Sequence, residues 1–375
     1  MKFVVDREPL IDAVNWVARS LSSRPIQTAL LGIKLEVSEK ITLTGSDLET
    51  STKAVISADI SEKGTVLVPG RLLAEIARSL PAKPISFVLE GSRVLVTAGS
   101  AKFTLPTLPV NEYPTLPGLP DTAGEIDSDT FATAVNQVAV AAGKDDSLPT
   151  LTGVHIEINK NTITLAATDR YRLAVKEISW QPSNSDIETA TLIRARTLSD
   201  AAKSLVSSKK VTFALSATNS NEKLVGFVSD EKTMTSRTLD GTFPPFKHLL
   251  PSESTAEAVI EVAPLLDSVR RVALVTDKTV PLRLSFSKDN LRLEAGAGDD
   301  AQATENLDIN YTGEEINIAF NPTFLTDGLQ AINSQFVHIA FTGDKKPAVL
   351  AGRSEADGAT NTSYKYLLMP MRYTS

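Results

Sequence analysis

The sequence predicts an α+β protein of three repeated domains, each combining antiparallel sheets with two helices. Two observations carry this reading. A hairpin-like stretch is written three times, at residues 30–50, 149–175 and 280–300, and each copy is flanked by two amphipathic helix patterns. A chain of 375 residues has room for three units that each bury a core of their own.

In each copy of the hairpin, two runs of alternating apolar and polar residues flank a polar turn: Ser38-Glu39-Lys40, Asn159-Lys160-Asn161 and Ser287-Lys288-Asp289. Strict alternation is the signature of a half-buried strand. Ile41, Ile163 and Leu291 correspond, as do Leu43, Leu165 and Leu293.

The first helix of each copy shows apolar residues three and four apart: Leu10, Val14, Val17 and Leu21, then Phe131, Val135, Val138 and Ala142, then Leu265, Val269 and Val272. Ala13-Val14-Asn15 recurs as Ala134-Val135-Asn136. The second helix runs over 70–80, 195–205 and 322–332; Arg71 matches Arg196, Arg78 matches Lys203, and the third version keeps Asp327 as its only charge. Proline-rich connections at 106–120 and 241–254 read as stiff linkers, because proline fixes φ and restricts the residue before it. The expected domains are 1–120, 121–250 and 251–375.

Composition narrows the function. The apolar content of 42% is that of an ordinary globular protein, and no run of apolar residues is long enough to span a bilayer. Asp6, Arg7 and Glu8 interrupt any secretory leader, so a cytoplasmic location is expected. With no cysteine there is neither a disulfide nor thiol chemistry. His155, His248 and His338 lack metal-ligand spacing, and no nucleophile elbow, P-loop or dinucleotide fingerprint occurs. Asp47 and Asp169, at equivalent repeat positions, suit capping of a turn better than acid catalysis. No metal or cofactor is expected.

Charge is unevenly placed. The six helix cores hold Arg19, Arg71, Arg78, Arg196, Lys203, Arg270 and Arg271 against Asp12, Glu75, Asp129, Asp200, Asp267 and Asp327, so the net −7 is carried outside them. A shared helix surface would attract phosphate without reading bases. At the other end of the chain, two methionines around a proline, Met369-Pro370-Met371, suggest an adaptable binding groove.

Taken with MKFVVDREPL at the start, Ala167-Thr168-Asp169-Arg170-Tyr171-Arg172-Leu173-Ala174, Asp240-Gly241-Thr242-Phe243-Pro244 and the closing segment from Tyr366 to Arg372, the sequence resembles the β subunits of bacterial DNA polymerase III, the sliding-clamp family. That resemblance implies the DNA clamp fold, with two chains closing head to tail into a six-domain ring, helices inside. It implies a non-enzymatic processivity factor that slides on duplex DNA without sequence preference and tethers the polymerase III α subunit, the clamp loader and other clamp-motif proteins. A peptide pocket between the second and third domains would be walled by Leu151, Thr168, Arg170, Tyr171, Arg172, Leu173, Pro244, His248, Leu249, Asn321, Phe324, Leu367, Leu368, Met369, Pro370, Met371 and Arg372, with Arg172 and Asn321 holding peptide backbone or a carboxylate. His248 stands where a cationic Arg is common, and Thr279 where some members carry an aromatic ring. Arg24, Arg71, Arg78, Arg196 and Lys203 would meet DNA. Ring closure would use Lys102, Phe103, Leu105, Leu274 and Val275, with Asp299, Asp300 and Glu305 facing Lys102. The alternatives are a repeat-built protein scaffold that binds no DNA and a metal-dependent hydrolase using the Asp47 and Asp169 loops.

Overall fold

Among the described residues, six α-helices form where the apolar spacing places them: α1 Arg7–Ala18, α2 Gly70–Ser79, α3 Ser128–Ala139, α4 Ala195–Leu205, α5 Val262–Val272 and α6 Pro322–Ala331. The structure is a computed structural model and describes residues 1–22, 26–206, 208–217, 222–251, 253–276, 280–296 and 301–372. Arg24, Thr279, Asp299 and Asp300 lie outside the described residues.

Helix α1 buries Leu10, Ala13, Val14, Trp16 and Val17, and the Trp16 indole donates to the Lys53 carbonyl at 3.1 Å. It begins ahead of the apolar pattern, at Arg7. That side chain donates from Nε to the Leu80 carbonyl at 2.7 Å and from Nη2 to the Arg78 carbonyl at 3.1 Å, so a cation serves the open carbonyls ending α2. Each fully buried Leu or Val contributes roughly 1.5–3 kcal/mol, whereas an exposed ion pair such as Arg270–Asp267 is worth about 0–1. Apolar faces therefore hold the helices.

All three hairpins form as antiparallel pairs: Gly32–Val37 with Ile41–Ser46, Gly153–Asn159 with Thr162–Thr168, and Leu282–Ser287 with Asn290–Ala295. In the first two repeats the turn leaving the hairpin is built the same way. The Asp47 carboxylate accepts from the backbone N–H groups of Glu49 and Thr50, and the Asp169 carboxylate accepts from those of Tyr171 and Arg172. Leu48 and Arg170, each next to its aspartate, share a φ of 79°, a left-handed conformation that the capping carboxylates sustain. Both aspartates are thus turn caps, as their chemistry suggested.

The chain forms two compact units: Met1–Phe131 with Trp180–Ser185 and Asp200–Thr238, and Ala132–Ser179 with Asp186–Ser199 and Leu239–Ser375. Neither is a single repeat. In the first unit, strand Lys232–Arg237 of the middle repeat pairs with Thr50–Ile56 of the first, Met234 opposite Thr52, making one nine-stranded sheet. In the second unit, Tyr364–Leu368 of the third repeat pairs with Arg172–Ser179 of the middle one, Ala174 opposite Tyr366, making another. The first unit also has a five-stranded sheet ending at Ala101–Pro106, and the second a four-stranded sheet ending at Ala303–Asp308.

Candidate functional site

The second strand-to-strand joint brings three distant stretches together: the Asp169 turn, the start of α6 and the closing strand. Thr168 Oγ1 donates to the Arg172 carbonyl at 2.6 Å and accepts from the Arg170 N–H, which tightens the turn and lifts Tyr171 outward. Tyr171 is 58% exposed. Its ring stacks on Phe324, centroids 6.3 Å apart at 25°. Phe324 reaches this position because Asn321 caps α6, its side chain accepting from the N–H groups of Thr323 and Phe324.

Arg172 sits beneath. It is 3% exposed, with Nε donating to Asp169 at 3.0 Å and Nη1 to Asp327 at 2.7 Å and to the Tyr366 hydroxyl at 3.3 Å. Its guanidinium lies 4.3 Å from the Phe324 ring centroid. Burial pulls the Arg172 pKa down, but Tyr366, Asp327 and Asp169 more than reverse this and hold it above its ordinary value. Burial also pushes the Tyr366 phenol up, keeping it a neutral donor to the Phe324 carbonyl at 2.8 Å.

Beside this cluster is an apolar floor of Ala166, Leu173, Val175, Leu192, Phe243, Phe246 and Leu367, edged by Leu239, Leu250 and Val349. The closing segment is tied down at both ends, Met369 N–H to the Tyr171 carbonyl at 2.9 Å and Met371 N–H to the Ala319 carbonyl at 2.7 Å. Met369 stays 41% exposed. Tyr171 and Met369 thus present an aromatic ring and a thioether to solvent above buried apolar side chains, a combination suited to Leu and Phe side chains.

Of the residues expected to wall a pocket, Tyr171, Arg170, Pro244, His248, Leu249, Met369 and Arg372 are exposed. Thr168, Phe324, Pro370 and Met371 are half-buried, and Leu151, Leu173, Leu367 and Leu368 are buried. Two of these residues are already engaged within the chain. Arg172 does not offer its Nε and Nη1 groups to a ligand, because Asp169, Asp327 and Tyr366 already take them, and the Asn321 carboxamide oxygen caps its own helix. Sequence reading did not include Asp327, Tyr366, Phe246 or Val349 in the site. The one available signal was Asp327, a lone charge on an otherwise uncharged helix.

The sequence matches the DNA polymerase III β subunit family over all three of its parts: the N-terminal domain at 1–117, the central domain at 125–245 and the C-terminal domain at 247–372. It is 49% identical to the β sliding clamp of Streptomyces coelicolor over 373 residues, 99% of each chain. The chain belongs to the bacterial β sliding-clamp family. It is also 47% identical to the Micrococcus luteus clamp over 82% of this chain and 98% of that one. Among solved structures, DNA polymerase III subunit β of Pseudomonas aeruginosa superposes with a TM-score of 0.88 at 28% identity, and that organism's clamp bound to griselimycin with 0.90 at 27%, each covering both chains in full.

Two further residue sets expected of a sliding clamp can now be placed. Arg71 and Arg78 are exposed on α2, donating to the Leu21 carbonyl and the Asn15 side chain at 3.3 Å each, and Arg196 and Lys203 are exposed on α4. Lys102 is exposed on the edge strand Ala101–Pro106, Phe103 is half-buried, and Leu274 is 84% exposed at the end of α5 with Val275 half-buried beside it. Leu105 is 1% exposed in this chain and packs in the core of its own sheet. Glu305 accepts from Arg271 Nε at 3.1 Å and from the Ser268 hydroxyl at 2.7 Å, and the Arg271 hydrogen bond holds its carboxyl below the usual range.

Proposed function

We propose that two copies of this chain close head to tail into a ring around duplex DNA and tether the replicative polymerase to it. The observation that carries this is the repeated sheet joint. The strand after the hairpin in repeat one (Thr50–Ile56) pairs with the last strand of repeat two, and the strand after the hairpin in repeat two (Arg172–Ser179) pairs with the last strand of repeat three. The same rule leaves two strands unmatched, Ala303–Asp308 of repeat three and Ala101–Pro106 of repeat one, and both are sheet edges. An uncovered edge is a template for another chain, and pairing these two between molecules extends the same rule. Two such joints close the ring.

On this reading the functional repeats are 1–120, 121–250 and 251–375, and the chain acts in the cytoplasm with no chemical step of its own. Arg24, Arg71, Arg78, Arg196 and Lys203 meet phosphates weakly enough to allow sliding, while the acidic remainder is repelled by DNA. Lys102, Phe103, Leu105, Leu274, Val275, Asp299, Asp300 and Glu305 lie at the closure. The groove of Tyr171, Phe324 and Met369 over its apolar floor receives a short peptide from the polymerase α subunit, the clamp loader and other clamp-motif proteins in turn. Tethering replaces repeated encounters in solution with a local concentration set by the linker, up to the order of millimolar.

The test is light scattering, then loading onto nicked circular DNA followed by linearisation. A dimer that remains on the circle and slips from the linear product establishes topological binding. A stable monomer retained on neither form would overturn the ring and favour a scaffold.

A further inference from the structure

We propose that Asp327 is a positioning residue for the groove: by drawing the Arg172 guanidinium over the Phe324 ring it fixes the aromatic wall that a bound peptide meets. This rests on the peptide-groove reading above and adds to it a residue that touches no ligand.

Asp327 follows Phe324 by three positions on α6, so the carboxylate and the ring are neighbours one helical turn apart. Asp169, in contrast, belongs to the same turn as Arg172 and binds its Nε, near the stem. Nε held by Asp169 leaves the far end of the fork free to swing, and Asp327 takes Nη1 at 2.7 Å. A cation anchored to that carboxylate has the Phe324 face beneath it, at 4.3 Å from the centroid. Tyr366 completes the clamp, accepting from Nη1 and donating to the Phe324 carbonyl. The ring is thereby set from one side, and Tyr171 stacks on it. Charge matters here as well as shape, because the planar guanidinium binds the ring face only as a cation held in one orientation.

The experiment measures binding of a fluorescently labelled pentapeptide containing Leu and a terminal Phe to the full chain by polarisation. The proteins are wild type, Asp327→Asn, Phe324→Ala, the double variant and Asp327→Glu, each checked for an unchanged circular dichroism spectrum. Asp327→Asn is expected to weaken binding about tenfold, a typical loss for a charge-assisted hydrogen bond. Asp327→Glu should recover part of it. In the Phe324→Ala background the same change should cost less than about twofold, because there is no ring left to position. An equal loss in both backgrounds, or none in either, overturns the proposal while leaving the groove intact. Absence of wild-type binding overturns the groove reading itself. Should Asp327→Asn fail to fold, the cycle is run with Arg172→Lys, which keeps the charge and loses the fork, under the same two criteria.

Discussion

Arg172 shows how far a single side chain can depart from what its position suggests. Beside an exposed Tyr171 it reads as a ligand-binding cation, yet its second carboxylate is 155 residues away in sequence, and that pairing decides its role. Removing it leaves Asp169 and Asp327 without their shared cation in a mostly buried site. Arg172→Ala is therefore expected to destabilise the fold by about 3–5 kcal/mol, measured by urea unfolding; a loss under about 1 kcal/mol, the scale of a surface pair, would mean the ion pairs are not structural. His155 offers a pH-dependent counterpart. It stacks flat on Phe243, centroids 5.1 Å apart at 6°, and burial lowers its pKa from 6.5, Glu157 opposing and Lys247 reinforcing the shift. With the folded value below the unfolded one, the unfolded chain takes up the proton first. Stability is full above about pH 6.5 and declines as pH falls from there towards the folded value. The thermal midpoint should fall between about pH 7.5 and 5, and His155→Phe should flatten that fall; an identical slope in the variant would remove His155 as its source. The Asp47 and Asp169 caps, by contrast, were legible, since an Asx turn needs only neighbours within a few residues.

Elements were legible to the extent that their periodicity is local. The six helices form close to the expected bounds, since apolar spacing alone selects the buried face. Strand Ala101–Pro106 shows what alternation adds: Lys102 points to one face and is exposed, while Phe103 and Leu105 share the other, Phe103 half-buried and Leu105 in the core. Leu274 remains fully outward, and Leu274→Asp is expected to weaken dimerisation by tens of fold, seen as a monomer in sedimentation at micromolar protein, with an unchanged thermal midpoint for the monomer. Helix α6 depends on close approach at Gly328, where an added Cβ would stand 2.4 Å from Tyr366 Cε1. Alanine would improve helix propensity by about 1 kcal/mol, but overpacking costs about 1–3, and Tyr366 cannot retreat without losing both its hydrogen bonds. Gly328→Ala should therefore lower stability and weaken peptide binding together; a stabilised variant would show that the ring moves freely.

At the scale of the whole molecule, a net charge of −7 sets how DNA is held. In the proposed ring few cations face phosphate, so open linear duplex should bind weakly with a shallow salt dependence. Arg71→Glu with Arg78→Glu should reduce the slope of log K against log salt by about 1 for each phosphate interaction removed, leaving retention on closed circles largely intact. A steep fall in retention on circles would instead mean that charge, not topology, holds the ring. By itself the sequence determined the three repeats, their helices and hairpins, the capped turns and the family, because each rests on spacing within a few tens of residues or on motifs read directly. Only the tertiary structure decided that sheets run across repeat boundaries, that Arg172 belongs to Asp327 and Tyr366, and that Glu305 is engaged by Arg271. Those pairings join strands and charges that are near in space but far apart along the chain, and the local pattern of a strand or an arginine is the same whichever distant partner it finds.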